Sequence, residues 1–157
     1  MFPLTGLICR GTKTMFGTIK DFTADRFAPT QWEGADKKAN FARQFIRFVQ
    51  SDFAQDKFCN TFYVRLSLTF SHIAHFNKAG FYETFFTTTT DKVRFLRMTL
   101  RHECYGDPGY TYSDVERALQ SWLHQHGILA KYEQRLANEV EMAERAELAR
   151  LQAKYAN

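Results

Sequence analysis

Phenylalanine sets the first constraint on this chain: sixteen of its 157 residues are Phe, and Phe, Tyr and Trp together make up 16%. An aromatic side chain removed from water buries a large apolar area. So many rings demand a sizeable interior, and 157 residues suffice to enclose one as a single domain. The rings have a second use: beside cations at a surface they stack on nucleic-acid bases, and the chain carries a formal net charge of +4. These two uses compete for the same side chains.

Bulk composition narrows the class. A hydrophobic fraction of 45% and a charged fraction of 24% are globular values and disfavour disorder. No apolar run approaches the eighteen or so residues of a membrane span. The apolar start, Met1 to Arg10, lacks the positive flank of a secretory signal, and Met15 offers a second translational start that would leave the first fourteen residues dispensable. Cys9, Cys59 and Cys104 are odd in number, far apart and without a C-x-x-C, which predicts reduced thiols and a cytoplasmic setting. Up to Tyr112 there are fifteen Lys and Arg against ten Asp and Glu; from Ser113 onward there are six against seven. The basic excess therefore sits in the body and suits an acidic partner.

Periodicity predicts a mostly α fold: a compact bundle of five or six helices with an irregular N-terminal segment and a long C-terminal helix. Residues 1–34 hold Pro3, Gly6, Gly11, Gly17, Pro29 and Gly34 and read as an irregular or short-stranded lead-in. Residues 35–127 form the helical body. Its clearest helix is 35–53, where Phe41, Phe45, Phe48 and Val49 recur at buried-stripe spacing and Arg43 and Arg47 occupy the other face. Residues 60–77 fit a helix through Phe62, Leu66, Phe70, Ile73 and Phe76, with Asn60 as its cap and Asn77 and Gly80 at its end. They also alternate as a strand would, so the alternative is α+β with a hairpin at 61–86. Thr89 or Thr90 can cap a helix over 91–102. Ser113-Asp114-Val115-Glu116 has the pattern of a capping box, and its helix should stop at Gly127. Residues 128–157 form the C-terminal helix, packed on the body or protruding, with a weak heptad that makes a homodimer contact plausible.

Three constellations bear on function. The first is the pair of basic faces, Arg43 and Arg47 on one helix and Arg94, Arg97 and Arg101 on another. Guanidinium forks a turn apart can follow phosphates, and Tyr105, Tyr110 and Tyr112 could offer aromatic contacts beside them. The bland alternative is a solvated outer face. The second is the set His72, His75, His102 and Cys104, which could form a small metal- or cysteine-dependent active site, although no H-E-x-x-H or C-x-x-C spacing supports it. The third is an absence of motif: the sequence has no G-x-S-x-G, no Walker loop and no G-x-G-x-x-G.

The expectation is a non-catalytic binding protein that docks on nucleic acid or a nucleoprotein complex through arginine-lined helices, with no cofactor, no metal and no membrane. Five neutralised phosphates on duplex DNA would give a log–log salt slope of about −4 to −5. In being short, single-domain and poor in motifs, the chain is similar in type to small accessory proteins of phages and plasmids, anti-CRISPR and anti-restriction proteins among them. That likeness implies a mobile-element inhibitor of a host defence system and rests on no particular residues.

Overall fold

In the computed structural model the described residues are 16–70, 77–104 and 106–156. They form six α-helices and no strand: α1 (Ala35–Gln50), α2 (Asn60–Thr69), α3 (Lys78–Phe85), α4 (Thr89–Arg101), α5 (Ser113–Gln125) and α6 (Ile128–Lys154). Short 3-10 turns lie at Ile19–Asp21, Ala24–Arg26 and Gln55–Lys57. The first helix packs against the second 3-10 turn, α2 and α5, while α4 packs against α3, α5 and α6. No helix among the described residues is long and apolar enough to cross a membrane.

The competition for phenylalanine resolves toward the interior. Every Phe among the described residues is buried, and Phe48, Phe53, Phe58, Phe62, Phe81, Phe86 and Phe95 form one ring network at the centre. Ring centroids there stand 4.9 to 6.2 Å apart, many in edge-to-face or tilted arrangements that the aromatic quadrupole favours. The large rings left at the surface are Trp32, Tyr110 and Tyr155, each with a polar handle that Phe lacks.

Two buried lysines lock the helices together. Lys38 of α1 is fully buried, and its Nζ donates to the Pro108 carbonyl at 2.8 Å and to Asp114 Oδ1 at 2.9 Å. Asp114 in turn accepts from the Ala28 amide at 3.0 Å, so one pair fastens the lead-in, α1 and the start of α5. Lys92 of α4 reaches Asp52 Oδ1 at 3.2 Å. Asp52 also accepts from Tyr132 Oη at 2.6 Å and Arg135 Nη1 at 2.8 Å, both on α6. Asp52 and Phe53 are left-handed, with φ of 60° and 57°, a conformation that disfavours side chains with a Cβ. Burial opposes the Asp52 charge, but the bonds from Tyr132, Arg135 and Lys92 together outweigh it and hold its pKa below the ordinary value.

Several local expectations need correction. Within 16–34 the lead-in consists of 3-10 turns and loop with no strand; residues 1–15, Cys9 among them, lie outside the described residues. The hairpin alternative fails over 60–69 and 78–85, which are helical. The helix that begins at Asn60 ends at Thr69, Ile73 and Phe76 lie outside the described residues, and Asn77 caps α3, its side chain accepting from the Gly80 amide at 2.7 Å. Asn60 is the first residue of α2, whose cap is Cys59. The cap of α4 is Thr88, one residue ahead of the expected pair. The capping box at Ser113 does not form, because both side chains are drawn elsewhere. Ser113 Oγ donates to the Gly106 carbonyl at 2.9 Å, and Glu116 pairs with His102. Gly127, at φ 58°, does terminate α5, as its freedom in the left-handed region allows.

Helix α6 divides in two. Ile128 and Tyr132 are buried, with Leu129 and Leu136 packed against the core. From Ala137 to Ala156 every residue is exposed.

Candidate functional site

A concave surface is built from two tight turns set over one helix. In the first, the Thr30 amide donates to the Glu33 carbonyl at 3.0 Å, and the amides of Trp32 and Glu33 donate to Thr30 Oγ1 at 3.2 and 3.0 Å. This threonine-closed turn presents Trp32 at its tip with 73% of the residue exposed. In the second, Asp107 accepts three amides: Gly109 on its side chain at 2.8 Å, and Tyr110 and Thr111 on its carbonyl at 2.8 and 3.0 Å. The turn chemistry of Asp107-Pro108-Gly109 thus fixes Tyr110, which is 54% exposed. The Gln31 amide donates to the Gly109 carbonyl at 3.0 Å and ties the turns together, while Lys38 holds Pro108 from below. Trp32 and Tyr110 meet edge-on with centroids 6.3 Å apart.

Between these rings and α2 lies a groove of about 420 Å³, lined by Thr30, Trp32, Glu33, Ser67, Leu68 and residues 110–112. Leu68 is largely exposed on its floor, and a shallower hollow continues past Glu33 and Leu68 to Val64 and Asn60. Two of the groove's lining residues, Glu33 and Tyr112, form a polar triad with Arg65, which lines the adjoining hollow. Arg65 Nη1 donates to Glu33 Oε1 at 2.5 Å and to Tyr112 Oη at 2.6 Å, and Tyr112 Oη donates to Glu33. The Arg65 bond, with help from Tyr112, holds Glu33 below the ordinary glutamate range despite partial burial. Burial and the Glu33 carboxylate push the Tyr112 hydroxyl upward, so it stays protonated as a donor. Ser67 Oγ is buried at the groove with no hydrogen-bond partner. A groove of this size with mostly apolar walls and a few fixed polar groups suits a bulky apolar or aromatic group.

The predicted arginine face is largely spoken for. Arg43 donates to the Phe22 carbonyl and to Asn40 Oδ1, pinning the lead-in to α1. Arg94 pairs with Asp91 at 3.1 Å, donates to the Thr84 carbonyl and lies over the Phe85 ring. Arg97 grips Glu133 Oε2 through two nitrogens at 2.9 and 3.2 Å and joins α4 to α6. Arg47 and Arg101 are exposed and form no ion pair among the described residues. Of the predicted aromatic contacts, Tyr110 is exposed, Tyr112 is a core residue whose ring cannot be offered to a partner, and Tyr105 lies outside the described residues. Trp32, Glu33, Ser67 and Leu68 escaped the sequence reading. The available signal was a lone tryptophan among polar turn formers, Thr30-Gln31-Trp32-Glu33-Gly34.

Of the histidine–cysteine set, His102 and Cys104 belong to a latch between α4 and α5. His72 and His75 lie outside the described residues. His102 Nδ1 stands 2.6 Å from Glu116 Oε2. Gln120 donates to the Thr99 and His102 carbonyls at 2.8 and 2.7 Å and accepts from Cys104 Sγ at 3.3 Å. These contacts satisfy carbonyls that the end of α4 leaves unpaired. Burial and then the Glu116 charge raise the Cys104 thiol to about 11, far from the thiolate a nucleophile needs. No group of three or more His, Cys, Asp and Glu among the described residues is arranged to hold a metal ion. No protein-family model, no curated protein and no solved structure matches this chain.

Proposed function

We propose that this protein acts by binding and not by catalysis, docking on a nucleoprotein complex through one of that complex's protein components. The contact is the groove of Trp32, Leu68 and Tyr110. One observation carries the reading: two largely exposed rings are held rigidly by hydrogen-bonded turns over an apolar floor. Exposed large aromatics on fixed supports are what protein interfaces use as anchors, because they bury much area at little conformational cost. The cation beside them, Arg65, is already neutralised by Glu33, so a phosphate approaching the rings would meet a carboxylate. Occupation of a host defence complex by a mobile-element protein is one case of such docking.

A second reading keeps direct nucleic-acid contact, favoured by the unpaired guanidiniums of Arg47 and Arg101. Arg47 also lines a hollow of about 230 Å³ with Lys57, Asp56, Gln44, Cys59 and Phe62. With two of the five guanidiniums outside any ion pair or hydrogen bond among the described residues, the log–log salt slope on duplex DNA should be about −2 rather than −4 to −5.

Co-purification from the native host with nuclease treatment separates the readings. Groove docking on protein survives the nuclease and is lost in Trp32→Ala/Tyr110→Ala. Direct nucleic-acid contact is abolished by nuclease and weakened by Arg47→Ala/Arg101→Ala. Association that ignores both pairs of substitutions would remove both surfaces from the account.

A further inference from the structure

The exposed half of α6 has a polarity that a single copy of the chain does not use. Val140, Leu148, Leu151 and Tyr155 are 49%, 55%, 37% and 70% exposed. At 3.6 residues per turn they fall within an arc of about 80° on one side of the helix, an arc that Glu144 shares, while the exposed Met142 lies on the other side. Charge along the same segment is sorted. Glu139, Glu141, Glu144 and Glu147 come first, with Arg145 among them; Arg150 and Lys154 follow, and no Asp or Glu comes after Glu147. Part of this charge is paired within the helix: Glu141 with Arg145 at 2.8 Å, and Glu147 with Arg150 at 2.6 Å. Glu144 and Lys154 form no ion pair among the described residues, and Lys154 rests over the Tyr155 ring. Ten residues and about 15 Å of helix separate them, so they cannot meet within one chain.

We propose that the distal half of α6 pairs antiparallel with the same segment of a second copy, about a two-fold axis near Ala149. In that register each Glu144 lies level with the partner copy's Lys154, and each Leu148 and Leu151 interleave with their counterparts. A parallel pair would set Glu144 against Glu144 and Lys154 against Lys154, so the sorted charge selects direction as well as partner. The isologous geometry closes at two copies and uses no residue of the Trp32–Tyr110 groove. A projecting helix also gains from a partner, because a helical segment without tertiary packing is marginal in water.

The test is the solution mass of the full chain across a concentration series, by sedimentation equilibrium or light scattering. The expected mass approaches twice 18.4 kDa at the upper end and falls toward 18.4 kDa on dilution. Leu148→Glu/Leu151→Glu alters only exposed side chains and should leave the mass at one copy throughout. Glu144→Lys alone and Lys154→Glu alone should each weaken the dimer about tenfold, and the two together should restore it. A single-copy mass for the unaltered chain at every concentration would overturn the proposal. A dimer indifferent to Leu148→Glu/Leu151→Glu would overturn the interface, and failure of the charge exchange to restore the dimer would overturn the antiparallel register.

Discussion

The groove and the latch between α4 and α5 each hold a carboxylate against hydrogen-bonding partners, yet the two acids are pushed in opposite directions. Glu33 keeps contact with solvent and receives Arg65 and Tyr112, so its pKa falls. Glu116 is nearly closed off, and burial raises its pKa in spite of His102 and Cys104. The latch has closed on itself: thiol, imidazole, amide and carboxylate all find partners within the chain, and its work is to finish the end of α4. In the groove Glu33 and Tyr112 of the polar triad supply only part of the lining, while Trp32, Tyr110 and Leu68 stay open to solvent. A self-satisfied cluster reads as architecture, and an assembly held firmly in place with its apolar faces uncovered reads as a binding surface.

The strongest way to break this contrast is to remove the groove's foundation. Lys38→Met strips the Pro108 carbonyl and Asp114 of their buried donor and should cost about 3 kcal/mol in urea unfolding, the lower end for breaking a buried pair. Gln120→Ala should cost about 2 kcal/mol by removing the amide that donates to the carbonyls of Thr99 and His102. Trp32→Ala and Tyr110→Ala should instead change stability by under about 0.5 kcal/mol. Each should still weaken partner association by about 2 kcal/mol, read by calorimetry on the isolated partner. A stability loss at Trp32 as large as that at Gln120 would erase the distinction between the two regions.

Titration sharpens it further. Glu33, with its folded pKa below 4.5, supplies stability that is full above pH 4.5 and lost as the pH falls through its folded value. Glu116, with its folded pKa above 4.5, contributes in the other sense: its share is full below pH 4.5 and lost as the pH rises through its folded value. Urea midpoints measured from pH 3 to 8 should therefore show a shallower acid loss in Glu33→Gln and a shallower decline above pH 4.5 in Glu116→Gln. The smallest effect concerns the thiols. At neutral pH Cys104 should react with a mild thiol reagent far more slowly than the exposed Cys59, as followed by mass spectrometry of labelled peptides.

The helices were legible where an apolar stripe ran long enough to declare its period. Phe41, Phe45, Phe48 and Val49 marked α1, and Gly127 marked the end of α5. Cap chemistry was less legible, because a side chain with capping potential follows its strongest available partner. Ser113 took a carbonyl from the preceding turn, Glu116 took a histidine, and Asn77 served the helix after it instead of the one before. The arginine ridges show the same limit. Spacing placed Arg94 and Arg97 on an outward face, but only tertiary packing could bring Glu133 of α6 to Arg97. The groove was least legible, since its parts lie in three separate stretches, residues 30–33, 67–68 and 110–112, each unremarkable alone.

The left-handed corner at Asp52 and Phe53 has a consequence for how the chain comes into being. Two successive residues with side chains sit there in a region that costs roughly 1–2 kcal/mol each. Much of what holds them arrives from Tyr132 and Arg135, 80 and 83 positions later. On a ribosome, the Asp52 carboxylate cannot gain these two bonds until the last helix has emerged. Nascent chains arrested ahead of Tyr132 should accordingly be the ones that proteases nick near residue 52.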